Sequence, residues 1–201
     1  SGTALTMTAQ DYETPACGSG GDSLTCVVVL AATDAANTAT AHTITVTITD
    51  TNDQAPAWTT AATANVAEGA TAVATMAATD SDTADSGGLT YSITTDDPAA
   101  GTQFSVSGTA LTIAAQDYES PGCGSGADSL TCVVVLAATD AASTATAHTI
   151  TVTITDTNDQ APAWTTAATA NVAEGATAVA TMAATDSDTA DSGGLTYSIT
   201  T

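Results

Sequence analysis

The stretch DTNDQAPAW, running from Asp50 to Trp58, returns letter for letter at Asp156–Trp164, 106 residues further on. The identity reaches far beyond these nine residues. Residues 1–95 align without a gap with residues 107–201, and only six of those 95 pairs differ: Met7/Ile113, Thr8/Ala114, Thr14/Ser120, Ala16/Gly122, Gly21/Ala127 and Asn37/Ser143. All six exchanges are mild. A unit of this length has the size of one domain, and it is too long for the roughly 20–50-residue repeats of solenoids. The sequence is out of phase with its unit: it opens late in one repeat, holds one whole repeat and closes early in a third. Pro56 and Pro162 interrupt the pattern, so the boundaries are placed after Ala55 and Ala161, giving repeats at 1–55, 56–161 and 162–201.

Outward from that stretch, the whole repeat reads as β-structure. Ile150, Val152 and Ile154 alternate with Thr149, Thr151, Thr153 and Thr155, the period of two that a half-buried strand requires. Leu111 with Ile113, and Leu89 with Tyr91 and Ile93, repeat the alternation. Val133–Leu136 is a continuous apolar run bounded by turns, as a buried strand would be. Val66, Val73 and Met76 mark two strands near the start of the repeat, and Phe104 with Val106 marks another. About seven short strands separated by Gly, Ser, Asp and Pro predict an all-β, seven-stranded Greek-key sandwich of immunoglobulin type, repeated in tandem. Aromatic residues are scarce, so Val, Ile, Leu and Ala must build the core. Thr suits the outward positions of such strands.

Charge narrows the function. The chain has 22 acidic residues and no Lys or Arg, a formal net charge of −22. Nucleic acid and anionic membranes are excluded as partners on electrostatic grounds. No apolar run is long enough to insert into a membrane as a helix. The acids are not evenly spread. In the whole repeat they fall in five groups: Glu68; Asp80 and Asp82; Asp117 and Glu119; Asp140; and Asp156 and Asp159, with Asn158 between the last two. Counting all copies, 16 of the 22 acids belong to these groups, and only Asp22, Asp85, Asp96, Asp97, Asp128 and Asp191 lie outside them. A solvated acidic coat has no reason to concentrate at strand ends.

Each repeat also carries one cysteine pair, Cys17 with Cys26 and Cys123 with Cys132, closing a Gly- and Ser-rich segment. Even pairing that recurs with the repeat favours disulfides, and hence an oxidising compartment, over free thiols. A zinc site is weaker, because the spacing is not CxxC and the histidines lie apart from the cysteines. His42 and His148 share the parity of the inward strand positions, so each reads as a half-buried strand residue. Trp58 and Trp164 read as core packing beside the proline.

In their order and spacing, the acidic groups resemble the calcium motifs of cadherin repeats. The resemblance covers the entire chain. It implies about three Ca²⁺ ions at each junction between repeats, held by oxygen ligands as a hard cation demands. At the first junction, Asp11 and Glu13 resemble the DxE motif of the preceding repeat. Asp50, Asn52 and Asp53 resemble the linker ligands, with Thr51 and Gln54 offering backbone oxygens. Asp80 and Asp82 resemble the DxD motif of the following repeat, and Asp140 its later single aspartate. The second junction draws on Glu68, Asp117, Glu119, Asp156, Asn158, Asp159, Asp186 and Asp188, with Thr157 and Gln160 in the backbone positions. Asp34 would serve a junction upstream and Glu174 one downstream. The chain departs from the family in having Gln54 and Gln160 where Asn is usual, Ala-Ala after Asp140, and Asp85 with Gly87 and Gly88 after the DxD motif.

Two other readings fail on the residues. The run from Asp80 begins like an EF-hand loop, but its twelfth position is Tyr91 where a bidentate Glu is needed. The Asp117 and Glu119 pair has no accompanying cleft signal for glycoside chemistry. An enzyme is not expected. The expected role is a calcium-rigidified extracellular or cell-surface array forming a filament, matrix fibre or stalk and self-associating. The alternatives are homophilic calcium-dependent adhesion and an adhesin stalk presenting a distant tip. Near-identical repeats, the lack of Lys and Arg, and abundant Ala and Thr point to a microbial surface or filament protein, with Thr and Ser as candidate carriers of O-glycans. Residues 162–201 hold the first strands of a repeat and 1–55 the last. End-to-end copies would therefore complete a domain lacking the equivalent of Asp96–Val106, and a cut from a longer chain accounts for the same phase.

Overall fold

The structure, a computed structural model, describes residues 4–17, 24–82, 88–96, 103–123, 130–142, 145–188 and 194–200, and among them every regular element is a β-strand. Asp22, Asp85, Gly87, Asp97, Asp128 and Asp191, with the middle of the EF-hand-like run, lie outside the described residues. In the first repeat β1 (Thr25–Thr33) and β2 (Ala39–Thr47) form an antiparallel hairpin from Thr25↔Thr47 to Thr33↔Ala39. The middle repeat holds β3 (Ala57–Trp58), β4 (Thr63–Ala67), β5 (Ala72–Thr75), β6 (Ala78–Thr79), β7 (Thr90–Asp96), β8 (Phe104–Ser107), β9 (Ala110–Ile113), β10 (Thr131–Thr139) and β11 (Ala145–Thr155). The third repeat keeps β12 (Ala163–Trp164) and β13 (Ala184–Thr185).

The middle repeat follows the expected Greek-key plan, with its first two strands each broken into two pieces. One sheet has the order β4-β11-β10-β7, and a second has the order β5-β9-β8. The short pieces β3 and β6 pair with each other, Ala57↔Thr79 and Trp58↔Ala78. β4 runs parallel to β11, from Thr63↔Thr151 to Ala67↔Thr155, so the first strand of the repeat lies beside the last. The register of β5 on β9 shifts between Ala72 and Ala74, a bulge that bends the strand ahead of Met76. Gly69 turns the chain after β4 at φ +72, where a side chain would be strained, and its N–H donates to Gln116 O at 2.9 Å.

Contacts divide the chain into two compact units. One comprises Ser1–Trp58, Ala78–Thr90 and Ala138–Thr146, and the other Thr59–Ala77, Tyr91–Ala137 and Ala147–Thr201. In the first, the Trp58 indole is half-buried and its Nε1–H donates to Thr146 O at 2.8 Å. The second holds the apolar core: Val66, Met76, Phe104, Leu111, Ile113, Val134, Leu136, Ile150, Val152 and Ile154 are all buried. The alternation expected along β11 is present, with Ile150, Val152 and Ile154 inward. Along β10 the structure differs from the sequence expectation. Val134 and Leu136 are fully buried, but Val133 is exposed and Val135 only half-buried, so the run is not buried throughout. Disulfides join Cys17 to Cys26 and Cys123 to Cys132, with Cα–Cα separations of 5.4 and 5.3 Å.

Near-identical sequence meets different surroundings along the chain. Leu111 on β9 is 0% exposed, and its counterpart Leu5 in the first repeat is 53% exposed. Burial here is set by the neighbours a residue finds, not by the residue. Leu111→Ala is therefore expected to cost about 2–5 kcal/mol in chemical denaturation. In dilute solution Leu5→Ala is expected to stay within about 0.5 kcal/mol of the parent. Equal losses at the two positions would contradict this account of the core.

Candidate metal centres at the ends of the repeats

The first acidic cluster lies wholly within the first unit. Glu13, Asp50 and Asp82 each bring a carboxylate oxygen within 4.8 Å of the other two. Local turns aim these side chains. Asp11 Oδ1 accepts from Glu13 N at 3.0 Å and Thr14 N at 3.3 Å, and its Oδ2 accepts from the Thr14 hydroxyl at 2.8 Å. An aspartate that binds the backbone two residues on is the usual device for holding such a turn. Asp80 acts alike, its Oδ1 accepting from Asp82 N at 3.0 Å. Asp82 Oδ2 then accepts from Gln54 N at 2.9 Å, which fastens the linker across 28 residues of sequence.

The second cluster lies within the second unit and is larger. Glu68, Glu119 and Asp156 form one triplet, and Glu119, Asp159 and Asp188 form another, with Glu119 common to both. The same turns recur: Asp117 Oδ1 accepts from Glu119 N at 3.1 Å, and Asp186 Oδ1 from Asp188 N at 3.0 Å. Asp188 Oδ2 accepts from Gln160 N at 2.9 Å. Glu68 follows β4 and spans two segments, its Oε1 accepting from Thr157 N at 2.6 Å and its Oε2 from Tyr118 N at 2.7 Å. The loop bearing Asp117 and Glu119 is anchored at both ends. Gln116 Oε1 accepts from Gly122 N at 2.8 Å, and the Cys123–Cys132 disulfide ties the far end to β10.

The sequence-derived residues thus divide by position. Glu13, Asp50, Asp82, Glu68, Glu119, Asp156, Asp159 and Asp188 supply the converging oxygens. Asp11, Asp80, Asp117 and Asp186 orient them through backbone N–H groups. Asp53 and Asp159 are exposed and each accepts from the side-chain amide of the following glutamine, at 2.8 and 2.7 Å. Asp140 is buried but supplies no oxygen to a triplet. Asn52 is half-buried, and Asn158, Thr51 and Thr157 are exposed. The sequence did not reveal the ties from Gln54 N, Gln160 N, Thr157 N and Tyr118 N. The glutamines repeating at positions 10 and 116 ahead of each DYE run were the one available sign of the loop anchors.

The electrostatics of the clusters are one-sided. Asp82 and Asp188 are 0% exposed in a chain without Lys or Arg. Glu13 Oε1, Asp80 Oδ2, Asp82 Oδ1 and Asp188 Oδ1 are buried and accept no hydrogen bond. Burial raises the carboxyl pKa of Glu13, with Asp82 and Asp11 adding repulsion. Burial likewise raises Glu119, reinforced by Glu68, Asp117 and Asp188, and it raises Asp188, reinforced by Asp186, Asp156 and Asp159. Asp11 moves down, chiefly through the Thr14 hydroxyl and its other hydrogen bonds. Buried carboxylate oxygens without donors suit a hard cation, and an all-oxygen donor set favours calcium or magnesium over softer metals.

No sequence-family profile matches the chain, and no curated protein matches it. Solved structures do. A four-repeat ectodomain fragment of protocadherin gamma B3 superposes with a TM-score of 0.58 at 24% identity, covering 80% of this chain and 37% of that one. Repeats 3–6 of protocadherin gamma B7, solved as a cis-dimer, give 0.56 at 27% identity over 70% of this chain and 35% of that one. The ectodomain of human desmocollin-1 gives 0.54 at 24% identity over 81% and 32%. This chain spans between 21% and 46% of the length of the first solved chains it matches. The acidic clusters stand on an all-β framework that superposes on tandem cadherin ectodomain repeats, and the chain has the fold of cadherin-like β-sandwich repeats.

Proposed function

We propose that the chain is part of an extracellular structural array whose repeats, at 1–55, 56–161 and 162–201, are stiffened by Ca²⁺ at Asp50–Gln54 and Asp156–Gln160. The observation that carries this reading is the set of buried carboxylate oxygens without donors at Glu13, Asp80, Asp82 and Asp188. The first centre would use Asp11, Glu13, Asp50, Asn52, Asp53, Asp80, Asp82 and Asp140 with the Thr51 and Gln54 carbonyls. The second would use Glu68, Asp117, Glu119, Asp156, Asn158, Asp159, Asp186 and Asp188 with those of Thr157 and Gln160. Calcium supplies the positive charge that these side chains lack. The chain's own part is to gather the oxygens: its turns aim the carboxylates, and its backbone ties hold linker and loops in one place. Near-identical repeats tile well and carry little individual recognition, which favours a filament, matrix fibre or stalk. The paired cysteines favour an oxidising, extracellular setting. Homophilic adhesion is the second reading, and the cis-dimer among the matched ectodomains makes self-association of such repeats plausible.

Scattering with calcium and with a chelator tests the stiffening. A longer maximum dimension in calcium is expected, and equal dimensions in both defeat the proposal. Calcium at about 100 times Kd is expected to stabilise the fold by about 2.7 kcal/mol per site. Asp188→Asn is expected to weaken binding about tenfold or more, as a charged ligand is lost.

Acidification separates the two states by sign. Glu13, Glu119 and Asp188 bind their protons more tightly when folded than when unfolded. In chelator, stability therefore rises as pH falls through their folded pKa values and levels off below their ordinary values of 4.5, 4.5 and 3.8. Asp11 opposes this only in stronger acid, where its stabilising charge is lost as pH falls through a pKa below 3.8. In calcium the proton competes with the metal, so melting temperature is expected to fall over the range where it rises in chelator. Parallel trends in the two conditions would count against metal at these carboxylates.

A further inference from the structure

We propose that Gln116 is the positioning residue of the second calcium centre, and that through the loop it holds, the bound ion and the Cys123–Cys132 disulfide protect one another. The inference rests on the calcium reading of this centre and adds a regulation to it. Among the described residues, Glu119 is the carboxylate common to both triplets, and it lies on the short segment between the buried Gln116 and the buried Cys123. Beside it Asp188 is 0% exposed, with Oδ1 accepting no hydrogen bond. Every carboxylate that Glu119 meets there carries its own sign of charge, so the segment must be held by something else.

Gln116 supplies the hold. Its backbone O accepts from Gly69 N at 2.9 Å, on the turn that follows Glu68. Its Nε2 donates to Ala114 O at 2.7 Å and to Gln103 Oε1 at 3.0 Å. Its Oε1 accepts from Gly122 N at 2.8 Å, beyond Glu119. One buried side chain thus clasps the segment at both ends and joins it to the turn after Glu68. The clasp recurs ahead of Glu13. There Gln10 Nε2 donates to Thr8 O at 3.0 Å, and Gln10 Oε1 accepts from Ala16 N at 3.0 Å. Both bonds go to backbone, so the exchanges Thr8/Ala114 and Ala16/Gly122 leave them intact. Gln116 is buried and Gln10 only half-buried, yet the geometry is the same.

The far end of the segment is Cys123, 1% exposed, bonded to Cys132, 0% exposed. A thiolate must reach a sulfur to open this bond, so reduction requires the segment to lift away first. Lifting also carries Glu119 away from Glu68, Asp156 and Asp188, so an ion held among them keeps the disulfide shielded. The reaction is exchange with a dithiol reductant. One reductant thiolate attacks a cysteine sulfur and breaks the S–S bond, and the second resolves the mixed disulfide. The cysteine pair gains two electrons and two protons and ends as two thiols, while the reductant ends as a cyclic disulfide. Linkage requires the converse, that the reduced chain binds calcium more weakly by the same factor.

The test treats the 201-residue chain with dithiothreitol, in calcium at about 100 times Kd and in chelator, and follows each cysteine pair by alkylation and peptide mass spectrometry. Reduction of Cys123–Cys132 is expected to slow about tenfold or more in calcium. Gln116→Met keeps the length of the side chain and removes its polar bonds. It is expected to weaken calcium binding about tenfold or more, and to shrink the rise in melting temperature that calcium brings. A merely structural glutamine would lower melting equally in calcium and in chelator. The parent's two reduction rates decide the coupling where the variant fails to fold. Calcium that binds the parent without slowing reduction, or a variant whose melting falls equally in both conditions, overturns this inference and leaves the calcium reading standing. A parent that binds no calcium in calorimetry defeats both.

Discussion

Buried negative charge without an internal counter-charge is the constraint on which the rest of this molecule turns. Any Lys or Arg could have neutralised Asp82 or Asp188 locally, and the sequence contains none. Backbone N–H groups compensate in part. Gln54 and Gln160 each give one to the buried aspartate, and Glu68 receives two from other segments. These donors orient the carboxylates but leave an oxygen on Asp82 and on Asp188 without any. The aspartates therefore hold the linker in place while repelling their own neighbours. A divalent cation, as proposed, would supply the positive charge that these side chains lack.

The second constraint is that some strands of the repeat form only beside a particular neighbour. The sequence of β4 is a strand beside β11 and an irregular stretch where that neighbour is missing. The small, aromatic-poor side chains give each strand little apolar area, so order depends on the number of neighbours more than on any one contact. The Cys123–Cys132 disulfide adds a covalent tie between two buried positions. It closes the segment before β10 and fixes one end of the acidic DYE loop.

Much of this could be read in advance where the pattern is local. The Thr alternation around Ile150, Val152 and Ile154 gave β11 its inward face, and the recurring cysteine pairs gave both disulfides. The order of the acidic groups pointed to the cluster residues that converge at Glu13, Asp50 and Asp82 and at Glu68, Glu119 and Asp188. What was illegible depends on distance along the chain. The apolar run at Val133–Leu136 reads as a buried strand, but Val133 is exposed where Val134 and Leu136 are not, a difference set by what covers each face and not by the run itself. The breaks between β3 and β4, and between β5 and β6, follow from pairing that no local period records. Likewise the full burial of Asp82 and the reach of Gln54 N to it join residues 28 positions apart, and an aspartate in a polar loop reads as surface until the fold is closed.

The parallel pairing of β4 with β11 has a mechanical meaning. It sets the first long strand of the repeat beside the last, in register over five residue pairs. A pull applied through the two ends of a repeat then acts along these strands in opposite directions. The bonds between them lie across the pull and yield together, whereas bonds aligned with the pull would open one after another like a zip. Such an arrangement resists sudden extension far better than its equilibrium stability alone would suggest. A fibre of these repeats would owe its tenacity to one short ladder in each.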